Sequence, residues 1–99
     1  MFGVIWSYRV QPGREEQFEA AYGPEGPWAR LFRVAPAYRG VELLRSASDG
    51  EYLTIDRWAS AADYEKFLKA CGDEYARIDR ACEALTVQET CVALATSSD

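Results

Sequence analysis

Tyr52-Leu-Thr-Ile-Asp-Arg-Trp58, followed through Ala59 by Ser60-Ala-Ala-Asp63-Tyr64-Glu-Lys-Phe67-Leu68, is the stretch on which the architecture turns. Residues 52–58 alternate. Tyr52, Thr54, Asp56 and Trp58 share one face, and Leu53, Ile55 and Arg57 share the other, the period of a strand. Ser60 is placed to cap a helix, with Asp63 three residues on in a variant of the capping box. Tyr64, Phe67, Leu68 and Cys71 then fall on one face at helical spacing.

Upstream, Ser48-Asp49-Gly50 is a short turn with glycine positioned for positive φ, so Tyr38–Ala47 and Glu51–Trp58 are predicted to pair as an antiparallel hairpin. Phe2–Val10 reads as an opening strand, with Phe2, Val4, Trp6, Tyr8 and Val10 on one side and Ile5, Ser7 and Arg9 on the other. Pro12-Gly13 ends it, because proline has no N–H to give a ladder. A helix over 14–22 carries Phe18, Ala21 and Tyr22. Gly23–Pro27 breaks it, and Pro27 opens a second helix with Trp28, Leu31, Phe32 and Ala35 on one stripe, stopped by Pro36.

Downstream, Gly72 is expected as the C-terminal glycine of the helix that Ser60 caps. Asp73 starts another, striped with Tyr75, Ile78, Cys82 and Leu85. A last strand spans Thr86–Ala95. The order is strand, helix pair, strand, strand, helix pair, strand. It predicts an α+β, ferredoxin-like split βαββαβ domain over residues 1–95, with a four-stranded antiparallel sheet and its helices on one face. Residues 96–99 are polar and expected to fray.

Ninety-nine residues, 48% of them hydrophobic, suffice for one domain and one modest core. A net charge of −5, with eleven basic residues scattered among sixteen acidic ones, argues against nucleic acid as a partner. It argues equally against an RNA-binding ferredoxin-like module, which stacks bases on a basic open sheet. Cys71, Cys82 and Cys91 lack a C-x-x-C pair, and the chain has no histidine, so no zinc signature is present. All three read as reduced thiols, buried as small hydrophobes. No stretch has membrane-spanning length and no basic n-region precedes an apolar one; the expectation is a cytoplasmic protein without a membrane partner.

Helices on one side leave the other side of the sheet bare. With Trp6 and Trp58 assigned to the helix side, the bare side is expected to present Ile5, Val41, Leu43, Leu53 and Ile55. Each is worth about 1.5–3 kcal/mol on full burial. An apolar sheet face of this kind does not stay in water, and the predicted solution is a face-to-face homodimer.

The pattern resembles the antibiotic biosynthesis monooxygenase family of the dimeric α+β barrel superfamily. The likeness runs from Phe2 to Ala95. Val10-Gln-Pro-Gly13, Arg39-Gly40-Val-Glu-Leu43 and Ile55-Asp-Arg-Trp-Ala-Ser60 carry it, and they are structural signatures rather than catalytic ones. The resemblance implies a homodimer whose two sheets form a barrel, with a pocket in each subunit between sheet and helices. Characterised members oxidise polycyclic phenols or anthrones to quinones with molecular oxygen and no metal or organic cofactor. Related proteins degrade haem on a histidine ligand, which this chain lacks.

Cofactor-free oxygenation needs a flat substrate that becomes an electron-rich anion, a group to take its proton, and a dry, aromatic site. Asp56 is the candidate proton acceptor, with Trp58 and Tyr64 completing the catalytic candidates. Tyr8, Tyr38 and Tyr64 are available to donate hydrogen bonds to an oxyanion. Trp6, Tyr8, Trp28, Phe32, Tyr38 and Phe67 are candidate walls for a small hydrophobic aromatic ligand. The competing reading makes these rings core, and the clean helical stripes of Phe32 and Phe67 favour it there. A non-enzymatic dimer that binds a hydrophobic metabolite, or a scaffold filled by its own aromatics, also stays open. A cavity of a few hundred Å³ with Asp56 or a tyrosine facing it separates ligand chemistry from a scaffold.

Overall fold

The alternating residues Phe2–Val10 form strand β1 near the middle of a four-stranded antiparallel sheet, in a computed structural model that describes residues 1–98. The chain continues through helices α1 (Glu15–Tyr22) and α2 (Pro27–Phe32), strands β2 (Tyr38–Arg45) and β3 (Glu51–Trp58), helices α3 (Ala61–Ala70) and α4 (Gly72–Cys82), a 3₁₀ turn at Glu83–Leu85, and strand β4 (Thr86–Thr96). The sheet order is β2-β3-β1-β4. This is the ferredoxin-like arrangement, with two helical crossovers and the β2–β3 hairpin. Gly50 has φ +77° in the hairpin turn, a conformation that glycine adopts without a Cβ clash.

Ser60 caps α3 as its sequence position predicts. Its Oγ accepts from the Asp63 N–H at 3.1 Å and donates to Asp63 Oδ2 at 2.8 Å. Gly72 corrects the sequence expectation: it opens α4 rather than closing α3. The Cys71 N–H bonds to the Phe67 carbonyl and the Tyr75 N–H to the Cys71 carbonyl, so one residue joins the two helices and no left-handed residue is required. Strand β4 runs one residue past Ala95, and the Ser97 N–H donates to the Met1 carbonyl at 2.8 Å. Of the polar end expected over 96–99, Asp99 lies outside the described residues.

The core sits between the sheet and the four helices, α4 contributing the buried Cys82. Phe18 of α1 stacks on Tyr22 with centroids 4.3 Å apart and packs on Tyr8 and Tyr52 of the sheet. Trp58 has no exposed surface. Phe32, Tyr38, Tyr64 and Phe67 surround it with ring centroids 5.1–5.6 Å away.

One face assignment is overturned. Val41 and Leu43 lie on the helix side, directly opposite Asp56 and Thr54 of β3. The cause is a bulge. Tyr38 pairs with Trp58 and Gly40 with Arg57, so Arg39 is an extra residue and every later side chain in β2 changes face. Gly40 takes φ +114° there, which a side chain would oppose. The uncovered face therefore carries Ile5, Leu53 and Ile55 as expected, with Leu44 opposite Leu53 in place of Val41 and Leu43.

Candidate functional site

Trp58 and Asp56 point to the same side of β3, but the helices treat them differently. α2 and α3 close over Trp58, whereas a cavity of about 280 Å³ lies between α4 and the strands beside Asp56. Its floor is Trp6 and Tyr8 of β1, Val41 of β2, and Thr54 and Asp56 of β3. Tyr22, Trp28 and Phe32 form a wall from the first helix pair. Tyr75 and Asp79 of α4, one helical turn apart, and Glu89 of β4 complete the lining, with Asp79 and Glu89 exposed to solvent.

Asp56 is held by strand pairing with Val4 on one side and Val41 on the other. Neither valine side chain can hydrogen-bond its carboxylate, and among the described residues no arginine or lysine pairs with it. Burial disfavours the charged form and pushes its pKa up to about 7. Burial is likewise the main reason that the Tyr8, Tyr22 and Tyr75 hydroxyls titrate far above the ordinary phenol range. At neutral pH these are proton donors, not phenolates. Glu89 is also raised, by partial burial first and by the charge of Asp79 second.

Thr54 Oγ1 and Trp28 Nε1 are shut off from the open space: Thr54 sits beside the Tyr8 hydroxyl, and Trp28 beside the Tyr22 hydroxyl and the Cys82 thiol, without a well-aligned hydrogen bond.

The cavity thus brings together Asp56, Trp6, Tyr8, Trp28 and Phe32 from among the residues singled out in the sequence. Trp58, Tyr64, Tyr38 and Phe67 are outside its lining, in the cluster packed around the Trp58 indole. Tyr64 also meets Phe2, at 5.8 Å between centroids, which fixes it against the far end of β1. Phe32 serves both places, with one side on Trp58 and another on the cavity. Thr54 was legible as a floor residue from its spacing to Asp56. Asp79 was missed, although its i+4 spacing to Tyr75 places the two on one side of α4. Glu89 was not legible, because bulges at Val87 and Val92 break the alternation of β4.

The sequence model of the antibiotic biosynthesis monooxygenase family matches residues 1–78. The chain belongs to that family. No functionally curated protein matches it. Among solved structures, the antibiotic biosynthesis monooxygenase fold recurs in SnoaB, a cofactor-independent oxygenase of Streptomyces nogalater, with TM-score 0.70, 18% identity, and 99% of this chain and 93% of that one covered. A proposed family member from Bordetella bronchiseptica gives TM-score 0.73 at 23% identity over 97% and 95% of the two chains. Another, from Caulobacter crescentus CB15, gives 0.75 at 17% identity over 99% and 90%. At these identities the structural likeness establishes the shared antibiotic biosynthesis monooxygenase fold alone.

Proposed function

We propose that this protein is a cofactor-independent monooxygenase that oxidises a small hydroxylated aromatic compound in the cavity beneath α4, with Asp56 as the base. The observation that carries the reading is Asp56 itself: a carboxylate among valines and aromatic rings, with no arginine or lysine paired to it among the described residues. A base whose pKa is about 7 combines a useful ionised fraction at neutral pH with real proton affinity. A cavity of about 280 Å³ sits at the lower edge of small-molecule sites and suits a flat ring system.

In this reading Asp56 removes a proton from the phenol or its activated methylene tautomer, leaving an electron-rich carbanion or phenolate. That anion reduces molecular oxygen. One oxygen atom enters the ring as a carbonyl in place of two hydrogens, and the other leaves as water, so a CH₂ plus O₂ becomes C=O plus H₂O. The protonated Tyr8 hydroxyl is the donor for the developing oxyanion. Trp58, Tyr64, Tyr38 and Phe67 act by holding β3 and α3 in place.

Oxygen uptake with a panel of anthrones and hydroquinones tests the assignment. Uptake is expected to rise with pH through a midpoint near 7 as Asp56 ionises, and Asp56→Asn is expected to remove both the rate and the inflection. Activity that survives Asp56→Asn with the same pH profile would remove Asp56 as the base. A panel without uptake on any member would count against the oxygenase reading.

The assembly supported best is a homodimer through the uncovered sheet face, where Ile5, Leu53, Ile55 and Leu44 present apolar surface that no helix of the chain covers. Sedimentation should show a species of twice the 11.1 kDa chain mass at low micromolar concentration. An 11.1 kDa species alone would refute it.

A further inference from the structure

We propose that the compound held in this cavity carries a protonated amine, which sits between Asp79 and Glu89 against the aromatic wall while its hydroxylated ring lies over Asp56. The inference rests on the ligand reading of the cavity given above and names the chemical class of the ligand.

The charges are one-sided. Every ordinarily charged side chain in the lining is a carboxylate: Asp56 on the floor, Asp79 on α4 and Glu89 on β4. The last two are close enough for Asp79 to raise the proton affinity of Glu89. They also add to the burial that keeps Tyr22 and Tyr75 protonated. An anionic ligand would enter against this field, whereas a cation relieves it.

The rings point the same way. Tyr75 meets Trp28 edge-on with centroids 4.9 Å apart, and Trp28 lies 6.0 Å from Tyr22. This aromatic corner shares the cavity with Asp79 and Glu89. Carboxylates beside tryptophan and tyrosine faces are the surroundings that bind organic ammonium groups. Among the described residues no three acidic or cysteine side chains are grouped to hold a metal ion. An organic cation therefore fits the arrangement better than a metal.

The buried polar atoms supply the other end. The Tyr8 hydroxyl, backed by Thr54, lies in the same lining as Asp56 and matches a ligand with an oxygen on its ring. The chemistry gives a reason for the pairing. Proton removal by Asp56 leaves a negative ring in a cavity without a lysine or arginine, and an ammonium group on the same molecule offsets that charge.

Tyramine, tyrosol and para-hydroxyphenylacetate share a phenol ring and differ in ending as ammonium, hydroxyl and carboxylate. Calorimetric titration of the wild-type protein under argon is expected to rank them in that order, with tyramine about tenfold tighter than tyrosol at low salt. Raising the salt should shrink the ratio. Asp79→Asn combined with Glu89→Gln, at two exposed positions that leave the core intact, should bring the ratio towards one. Equal affinity for all three, preference for the carboxylate, or a tyramine preference that survives both salt and the double substitution overturns the inference. Absence of binding by all three overturns it as well. Oxygen uptake with neutral phenols would still stand as the separate test of the oxygenase reading.

Discussion

Asp56→Asn should stabilise the folded protein at high pH while it removes the base. The ordinary carboxylate value of 3.8 applies to the unfolded chain, and burial raises Asp56 to about 7 in the fold. Between those values the folded state holds one more proton than the unfolded state, so stability falls as pH rises. Each pH unit in the window is worth about 1.36 kcal/mol, and the whole shift amounts to about 4 kcal/mol. The penalty is absent below pH ~4 and complete above pH ~7. Asparagine keeps the shape without titrating. Its own amide adds an offset that does not vary with pH, so the pH-dependent part of the difference belongs to the carboxylate.

Urea unfolding of both proteins from pH 4 to 8.5, at one fixed protomer concentration, measures it. Relative to wild type, the midpoint of the variant should climb by roughly 2–4 M across the series for a slope of ~1–2 kcal/mol/M. Glu89, also raised by burial, and Glu19, lowered by its hydrogen bonds from Tyr52 and Arg45, titrate in both proteins and cancel in the difference. A difference curve flat to within about 1 kcal/mol would show that the Asp56 carboxylate is well solvated or paired, and the proposed base would lose its physical basis.

Trp58→Ala empties the site of a fully buried ring and should lower stability by about 3–5 kcal/mol in chemical denaturation, a loss that Trp58→Phe largely recovers. Gly26→Ala would put a Cβ 2.3 Å from the Ala21 carbonyl oxygen and 2.4 Å from that of Ala20, with only backbone to give way. The turn between α1 and α2 must then open, at a loss of about 2–4 kcal/mol read from thermal and urea melts. Ser60→Ala removes the cap of α3 and should lower stability by about 1 kcal/mol, with Ser60→Asp retaining most of it.

The comparison of faces shows where local pattern stops being informative. β1 and β3 alternate without interruption along their shared register, so the sides of Tyr8, Asp56 and Trp58 follow from spacing alone. β2 and β4 carry bulges, at Arg39 and at Val87 and Val92, and a single extra residue exchanges the two sides of everything after it. That displaced Val41 and Leu43 from the bare face to the cavity side. Gly40 within a strand was the available sign.

The order of the elements, the α3 cap, the hairpin and the side taken by Asp56 were all legible in the chain, because each depends on neighbours a few residues apart. Which aromatics close the core and which bound a cavity was not. Trp58 and Asp56 stand two residues apart on one face, yet α2 and α3 bury the first while α4 leaves space over the second. The meeting of Asp79, Glu89 and Asp56 around that space joins a helix to two strands far apart in the chain. Such a meeting follows from how the layers pack, which no local spacing records.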